Sequence, residues 1–230
     1  MMDGTDTARG VAGRVRVDVW SDIACPFCYL GTAALQEALG LFPHGESVDV
    51  LYHSYELTPD LAERFDGGAN EFLAHEQGMP VAQAAAINAQ LAARAATLGL
   101  DFQIDRMVIG STRTAHRLAH FALEHGRQRE MVERLFRAHY TEGAFIGDHQ
   151  VLADLAEQVG LDRAAALKAL EAGAYEDDVA ADIRRARELG VRGVPFFVLD
   201  NKYAASGAQS AEALLQALTR VWDERAVSKP

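Results

Sequence analysis

Val15-Arg16-Val17-Asp18-Val19-Trp20-Ser21-Asp22-Ile23-Ala24-Cys25-Pro26-Phe27-Cys28-Tyr29-Leu30-Gly31 carries the decisive reading of this chain. Its first six residues alternate. Val15, Val17 and Val19 take one face and Arg16, Asp18 and Trp20 the other, the period of a strand. From Pro26 to Gly40 the pattern turns helical. Proline suits a first turn because the N–H it lacks is unpaired there anyway, and Gly40 suits an end. Between the two runs stand Cys25 and Cys28, the only two cysteines among 230 residues. Chance sets a second cysteine three positions from the first roughly once in 100 placements, so the spacing needs a chemical reason. Thiols so spaced work in sequence: one attacks a foreign disulfide, and the other resolves the mixed disulfide.

Working outward, residues 47–57 look extended, with Val48, Val50 and Tyr52 alternating before Pro59 closes the run. From Asp60 to about Gly190 the reading is almost all helical. Residues 81–98 are alanine-rich, and alanine has the best helix propensity. Residues 113–125 put Ala115, Leu118, Ala119 and Ala122 on one face, and residues 129–140 do the same with Met131, Val132, Leu135 and Phe136. Asp148 and Asp162 read as N-caps of two further helices, and a last one runs from about Tyr175 to Leu189. Strands return after Gly190. Val191-Arg192-Gly193-Val194 leads into Pro195-Phe196-Phe197-Val198-Leu199, Asp200-Asn201-Lys202 turns, and Tyr203-Ala204-Ala205 pairs back as a hairpin. An amphipathic helix follows Ser210, bearing Leu214, Leu215, Leu218 and Val221. The expected organisation is an α/β fold: a β-α-β part over 14–60, a helical insertion over 61–189, and a β-β-α part over 190–224. The outer parts must share one sheet, because neither has enough strands to stand alone.

The thiolate is the reactive form, and a free cysteine titrates near about 8.5. Cys25 at the N-terminus of a helix faces unpaired N–H groups and the positive end of the dipole, which favours its anion. Cys28 lies one turn further in and more buried. Cys25 is therefore the expected nucleophile and Cys28 the resolver. Val194-Pro195 opens a strand, where a missing N–H breaks no ladder. The bond there is either an ordinary trans edge proline or one of the about 5–6% of X–Pro bonds that are cis. A backbone bulging at that point would offer Val194 N–H and C=O to an extended substrate beside Cys25. Pro26, Phe27, Val194 and Pro195 are thus the candidate substrate-binding residues.

The formal net charge is −11, which argues against nucleic acid and anionic membranes as partners. Met1 to Gly13 is polar, without the basic start and apolar run of a secretory signal, and reads as a short disordered tail. No apolar run approaches the length of a membrane span. The expected location is the cytoplasm, where a CxxC is redox-active or metal-binding rather than structural. A structural zinc site wants four ligands. There is no second CxxC and the eight histidines are scattered, so no metal is expected. His116 and His120 share a helix face, but Arg117 stands where a zinc hydrolase has glutamate. They read as solvent-facing or interdomain polar residues. His53 lies on the second strand and is given no role. Arg184, Arg185 and Arg187 read as a solvated face.

The CPxC at the first strand-to-helix turn and the late Gly193-Val194-Pro195-Phe196-Phe197-Val198 together resemble the DsbA-like branch of the thioredoxin superfamily. The likeness is strongest to its cytoplasmic FrnE-type members. Thr112-Arg113-Thr114-Ala115-His116-Arg117-Leu118, Leu135 to Gly143, Ile146-Gly147-Asp148 and Ser206-Gly207-Ala208-Gln209 add to the likeness, which spans about residues 14–222. The resemblance implies a thioredoxin fold interrupted by an all-helical insertion, a cis Pro195 facing Cys25, and dithiol–disulfide exchange. Its partners would be thiol- or disulfide-containing proteins or small molecules, and the protein would be a monomer or homodimer. No cofactor is implied beyond the Cys25–Cys28 pair itself, with glutathione as a possible co-substrate. Two departures matter. Phe27 stands where periplasmic DsbA has histidine, and Val19 stands where thioredoxins often carry a buried acid. No Lys or Arg lies between Asp18 and Gly31, so thiolate stabilisation should rest on the helix N-terminus, with Asp22 opposing it if close. The expected activity is that of a protein disulfide oxidoreductase. One alternative is a glutathione-dependent isomerase or transferase of the kappa-class or hydroxychromene-carboxylate isomerase type, whose members carry serine where Cys25 stands. The other is a redox-sensing binding or chaperone module.

Overall fold

A computed structural model describes residues 13–227. The tail expected to be disordered lies, up to residue 12, outside the described residues. The alternating valines make β1 (Val15–Ser21) the centre of a four-stranded sheet in the order β2-β1-β3-β4. β2 (Val48–Ser54) runs parallel to β1, with Val17 opposite Val50 and Val19 opposite Tyr52. A parallel neighbour requires a crossover, supplied by α1 (Pro26–Leu41). β3 (Phe196–Leu199) and β4 (Tyr203–Ser206) form an antiparallel hairpin on the other side of β1. Its turn holds Asp200 and Asn201 at φ 54° and 55°, a left-handed pair whose twist matches the flanking strands. The two ends of the chain thus share one sheet, as the strand count requires.

Seven helices separate the halves: α2 (Ala69–Gln77), α3 (Val81–Ala96), α4 (Arg113–Glu124), α5 (Gln128–Arg137), α6 (His149–Gln158), α7 (Arg163–Glu171) and α8 (Glu176–Glu188). Asp148 accepts from the N–H groups of Gln150 and Val151, and Asp162 from that of Ala165, so both act as the expected caps. α2 is an element that the sequence pattern leaves undivided within the helical block. A π-turn, Ala138–Glu142, extends α5 and ends at Gly143 in the left-handed region. α9 (Ala211–Val227) follows the hairpin and packs against α1, β1 and β3.

The valine face of β1 and Tyr52 of β2 look toward α1, where the Tyr52 hydroxyl meets Thr32 at 3.5 Å. The opposite face is also buried: Asp18 and Trp20 are each 4% exposed. The reason is α8, which lies over β2 and receives the Trp20 indole N–H on the Asp182 carbonyl at 3.3 Å. β1 is therefore covered on both sides, as befits the centre of a sheet layered by helices.

Candidate active site

Cys25 is the N-cap of α1, with extended backbone (φ −88°, ψ 111°), and Pro26 occupies the first turn. The carbonyl of Cys25 accepts from the N–H groups of Cys28 at 3.0 Å and Tyr29 at 3.3 Å, while its own N–H donates to the Asp22 carbonyl at 3.0 Å. The turn is thus closed on both sides of the sulfur. Both cysteines are free thiols and both are buried, Cys25 at 3% exposure and Cys28 at 1%. Phe27, between them, is 45% exposed and forms the outer lip. Across from Cys25, the Val194–Pro195 peptide is cis, and the Cys25 thiol donates to the Val194 carbonyl at 3.4 Å. The Pro195 carbonyl accepts from Gly207 N–H at 2.8 Å, tying this segment to the hairpin. Gly31 on α1 permits the approach: a Cβ there would sit 3.1 Å from Pro195 Cγ and 3.2 Å from Phe197 Cζ. The four candidate substrate-binding residues therefore surround Cys25 from two distant stretches of chain.

The two thiols are driven apart in acidity. Cys25 is lowered from the ordinary thiol range, first by a hydrogen bond from Cys28; burial opposes this, and the N–H groups of Cys28 and Phe27 add to it. Cys28 is pushed well up, first by burial and then by the hydrogen bond and charge of Cys25. The leading cause of the Cys25 shift is not the helix N-terminus expected from the sequence. The neighbouring thiol contributes most, and the first-turn amides come after it.

Asp22 is the residue whose weight the sequence did not reveal. It is 1% exposed, and its carboxylate accepts from Ala24 N–H at 3.2 Å, Leu57 N–H at 2.8 Å and the Thr112 hydroxyl at 2.8 Å, with His116 Nε2 at 3.4 Å. Burial resists its ionisation, but the His116 hydrogen bond and charge, with those N–H and hydroxyl donors, hold it below the usual carboxylate range. Asp22 thereby joins the redox turn, the exit of β2 and the start of α4. His116 is not solvent-facing: it is 3% exposed and reaches from the helical insertion to this carboxylate, the interdomain half of its reading. The signal available in sequence was the pair Thr112 and His116, one turn apart on a helix. Tyr140, also fully buried, donates to the Ala24 carbonyl at 2.7 Å and packs with Tyr29, Phe102 and Phe136 behind the turn.

A β-α-β unit and a β-β-α unit sharing one sheet, with a dithiol at the first helix, define a thioredoxin-type protein. The chain belongs to the DSBA-like thioredoxin domain family, which matches residues 16–219. A probable DsbA oxidoreductase of Streptomyces coelicolor, SCO1869, is 41% identical, with a TM-score of 0.85 over 94% of this chain and 92% of that one. The uncharacterized protein YwbO of Bacillus subtilis is 30% identical over 80% of this chain and 86% of its own length. A 2-hydroxychromene-2-carboxylate isomerase (19% identity, TM-score 0.70, covering 94% and 100% of the two chains) shares the fold. So does the cytosolic disulfide reductase DsbM of Pseudomonas aeruginosa with GSH (23%, 0.58, 92% and 96%). Among the described residues, no helix is long and apolar enough to cross a membrane.

The geometry gives Asp22 a measurable influence. Its charge raises the pKa of Cys25, so Asp22→Asn should lower it. A more stable thiolate favours the reduced form, so the same variant should become more oxidising than the parent. Thiolate absorbance against pH and equilibration with glutathione read the two effects. An unchanged titration would remove Asp22 from any electrostatic role at Cys25.

Proposed function

We propose that the protein is a FrnE-type thiol–disulfide oxidoreductase working through Cys25 and Cys28. The observation that carries this reading is the placement of both thiols in the first turn of α1, with Cys25 at its N-cap against the Val194 carbonyl, and the opposite displacement of their acidities agrees with it. The Cys25 thiolate attacks one sulfur of a substrate disulfide. A Cys25–substrate disulfide forms, the substrate S–S bond breaks, and one thiolate leaves. Cys28, once deprotonated, attacks Cys25 Sγ, releases the second thiolate and closes the Cys25–Cys28 disulfide. The substrate gains two electrons and the pair loses two. Glutathione, approaching from the Pro195 side, is the co-substrate that restores the dithiol, two molecules leaving as one disulfide. Run backwards, the same steps oxidise substrate dithiols. Pro26, Phe27, Val194 and Pro195 would position the incoming chain, and the Val194 carbonyl is already aligned on the sulfur.

The shared fold of the isomerase leaves that activity as the rival, and position 25 separates them: a resolving pair is of no use to an isomerase. Both cysteines of the chain belong to the pair, leaving none for a structural disulfide. This economy supports a cytoplasmic protein, as does the fold shared with a cytosolic reductase. The reduction potential should lie below DsbA's about −120 mV, because Asp22 opposes the thiolate that stabilises a strong oxidant's reduced form. The test is insulin reduction by dithiothreitol, followed by turbidity. The parent should shorten the lag, and Cys25→Ser should match the protein-free control. Equal performance of the two would end the proposal.

A further inference from the structure

Beside the redox turn lies a cavity of about 130 Å³ between the turn and the helical insertion. Ala24 and Pro26, the residues flanking Cys25, form part of its wall. The opposite wall is apolar, built by Leu61, Phe72, Leu91, Ile104, Met107 and Ile109. A cavity of about 150 Å³ with such a lining accepts a benzene-sized guest, so the room here is that of one ring or a short branched chain.

Its polar wall is unusual in one respect. His139 lines the cavity at 2% exposure, and neither ring nitrogen has a hydrogen-bond partner in the protein. Leaving a buried imidazole unpaired costs about 1–3 kcal/mol per group, so a partner is called for. Burial drives its pKa down to about 4, with the Asp22 charge acting against this, so the ring is neutral and offers one N–H and one lone pair. Several other polar side chains of the wall already have partners in the protein. The Asp22 carboxylate is held by its four donors, and Asn88 donates to Asn70 at 2.8 Å. No lysine or arginine lines the cavity, and Asp22 sets a fixed negative charge on its wall. An anionic guest is repelled by Asp22, and a cationic one would exchange its hydration for a mostly apolar wall on which His139 offers a single lone pair.

We propose that this cavity seats the uncharged, ring-sized substituent of a substrate thiol or disulfide whose sulfur reacts with Cys25, and that His139 hydrogen-bonds the one hydroxyl or carbonyl that substituent carries. This deepens the exchange reaction proposed above and rests on it. It names as substrate a neutral, apolar, low-molecular-weight disulfide. Glutathione, with its carboxylates, would meet Cys25 from the Pro195 side without entering the cavity. The bonds are those already written: Cys25 Sγ joins the sulfur bearing the seated group, the other half leaves as thiolate, and Cys28 then displaces the seated half.

The test compares stopped-flow oxidation of the reduced, full-length protein by bis(4-hydroxybenzyl) disulfide, dibenzyl disulfide and oxidised glutathione. Each rate is divided by that of free cysteine with the same disulfide, which removes intrinsic reactivity. The corrected preference for the hydroxybenzyl compound over oxidised glutathione should be about tenfold or more, the worth of burying part of one ring. Leu91→Trp, which fills the cavity, should reduce that ratio at least about fivefold. If circular dichroism shows Leu91→Trp unfolded, Ala69→Leu fills the same space from α2. His139→Phe should reduce the preference for the hydroxybenzyl over the plain benzyl compound. Equal corrected rates for all three disulfides, or ratios indifferent to the filling variant, would overturn the cavity assignment. If no disulfide reacts faster than with free cysteine, it is the exchange reaction itself that fails.

Discussion

Replacing Cys28 by serine is expected to turn a turnover catalyst into a trap, whereas replacing it by alanine should in addition blunt the nucleophile. The two variants separate two duties of one sulfur. In the proposed exchange, Cys28 is the resolver and would attack the Cys25–substrate disulfide. Neither serine nor alanine does so, and turnover in the insulin assay should fall by about two orders of magnitude or more in both. As hydrogen-bond donor, Cys28 gives the largest single contribution to the lowered pKa of Cys25. A serine hydroxyl keeps a donor near that place, and alanine does not. Cys28→Ser should therefore still react with iodoacetamide below the pH range of free cysteine and accumulate mixed disulfides approaching one per chain. In Cys28→Ala the Cys25 titration should move upward, back toward free cysteine. Iodoacetamide rates from pH 5 to 10, with mass spectrometry of the intact adducts, read both outcomes. Coincident titrations in the two variants would mean that the amides of Phe27 and Cys28 alone hold the thiolate. Full turnover in Cys28→Ser would mean that an external thiol resolves the intermediate.

How far the site was legible follows from sequence distance. Cys25, Pro26 and Cys28 were readable because the strand, the turn and the helix that place them are contiguous, and local pattern decides each. The shared sheet was readable by elimination, since two-strand pieces cannot stand alone. Val194 and Pro195 were readable locally as a strand-opening proline, cis or trans; it took the family resemblance to imply a cis bond facing a sulfur 169 residues earlier. Asp22 looked like a nearby charge that would merely oppose the thiolate. Its partners Thr112 and His116 lie 90 and 94 residues away, and only their arrival makes it a buried junction. His139 was hidden for the same reason, since an unpaired imidazole is a property of surroundings, not of sequence. The burial of Asp18 and Trp20 was hidden because strand alternation cannot show whether a helix returns to cover a face.

That returning helix sets up the largest stability effect. His53 Nδ1 lies 2.7 Å from Asp182 on α8, and its Nε2 lies 2.7 Å from Asp18 on β1, with Trp20 stacked on the ring at 4.4 Å. Asp182 also accepts Ser54 N–H at 2.8 Å and lies 3.2 Å from His120, while Arg16 pairs with Asp18 at 2.6 Å. Burial alone would favour neutral His53. The hydrogen bonds and charges of Asp18 and Asp182 outweigh it and raise its pKa from 6.5 to about 9. A group whose pKa rises on folding stabilises fully below its unfolded value and loses that contribution as pH climbs through the folded one. The window is therefore pH 6.5 to 9, and the loss is about 3 kcal/mol. Asp182 and Asp18 are lowered, so their contribution is present above the carboxylate range and vanishes as acid protonates them. The lowered Cys25 works against His53 in the alkaline window, so the melts belong in a Cys25→Ser background. There, urea unfolding should show stability climbing from about pH 4 to a maximum near 6.5, as the unfolded chain's His139 sheds its proton, and declining toward pH 9. His53→Gln should flatten that decline. Asp182→Ala at pH 6 should cost about 3–5 kcal/mol, because it strips the buried imidazolium of one carboxylate and leaves Ser54 N–H without its acceptor. Stability unchanged from pH 6.5 to 9 in the Cys25→Ser chain would mean that His53 stays neutral, and that α8 is held to the sheet by packing alone.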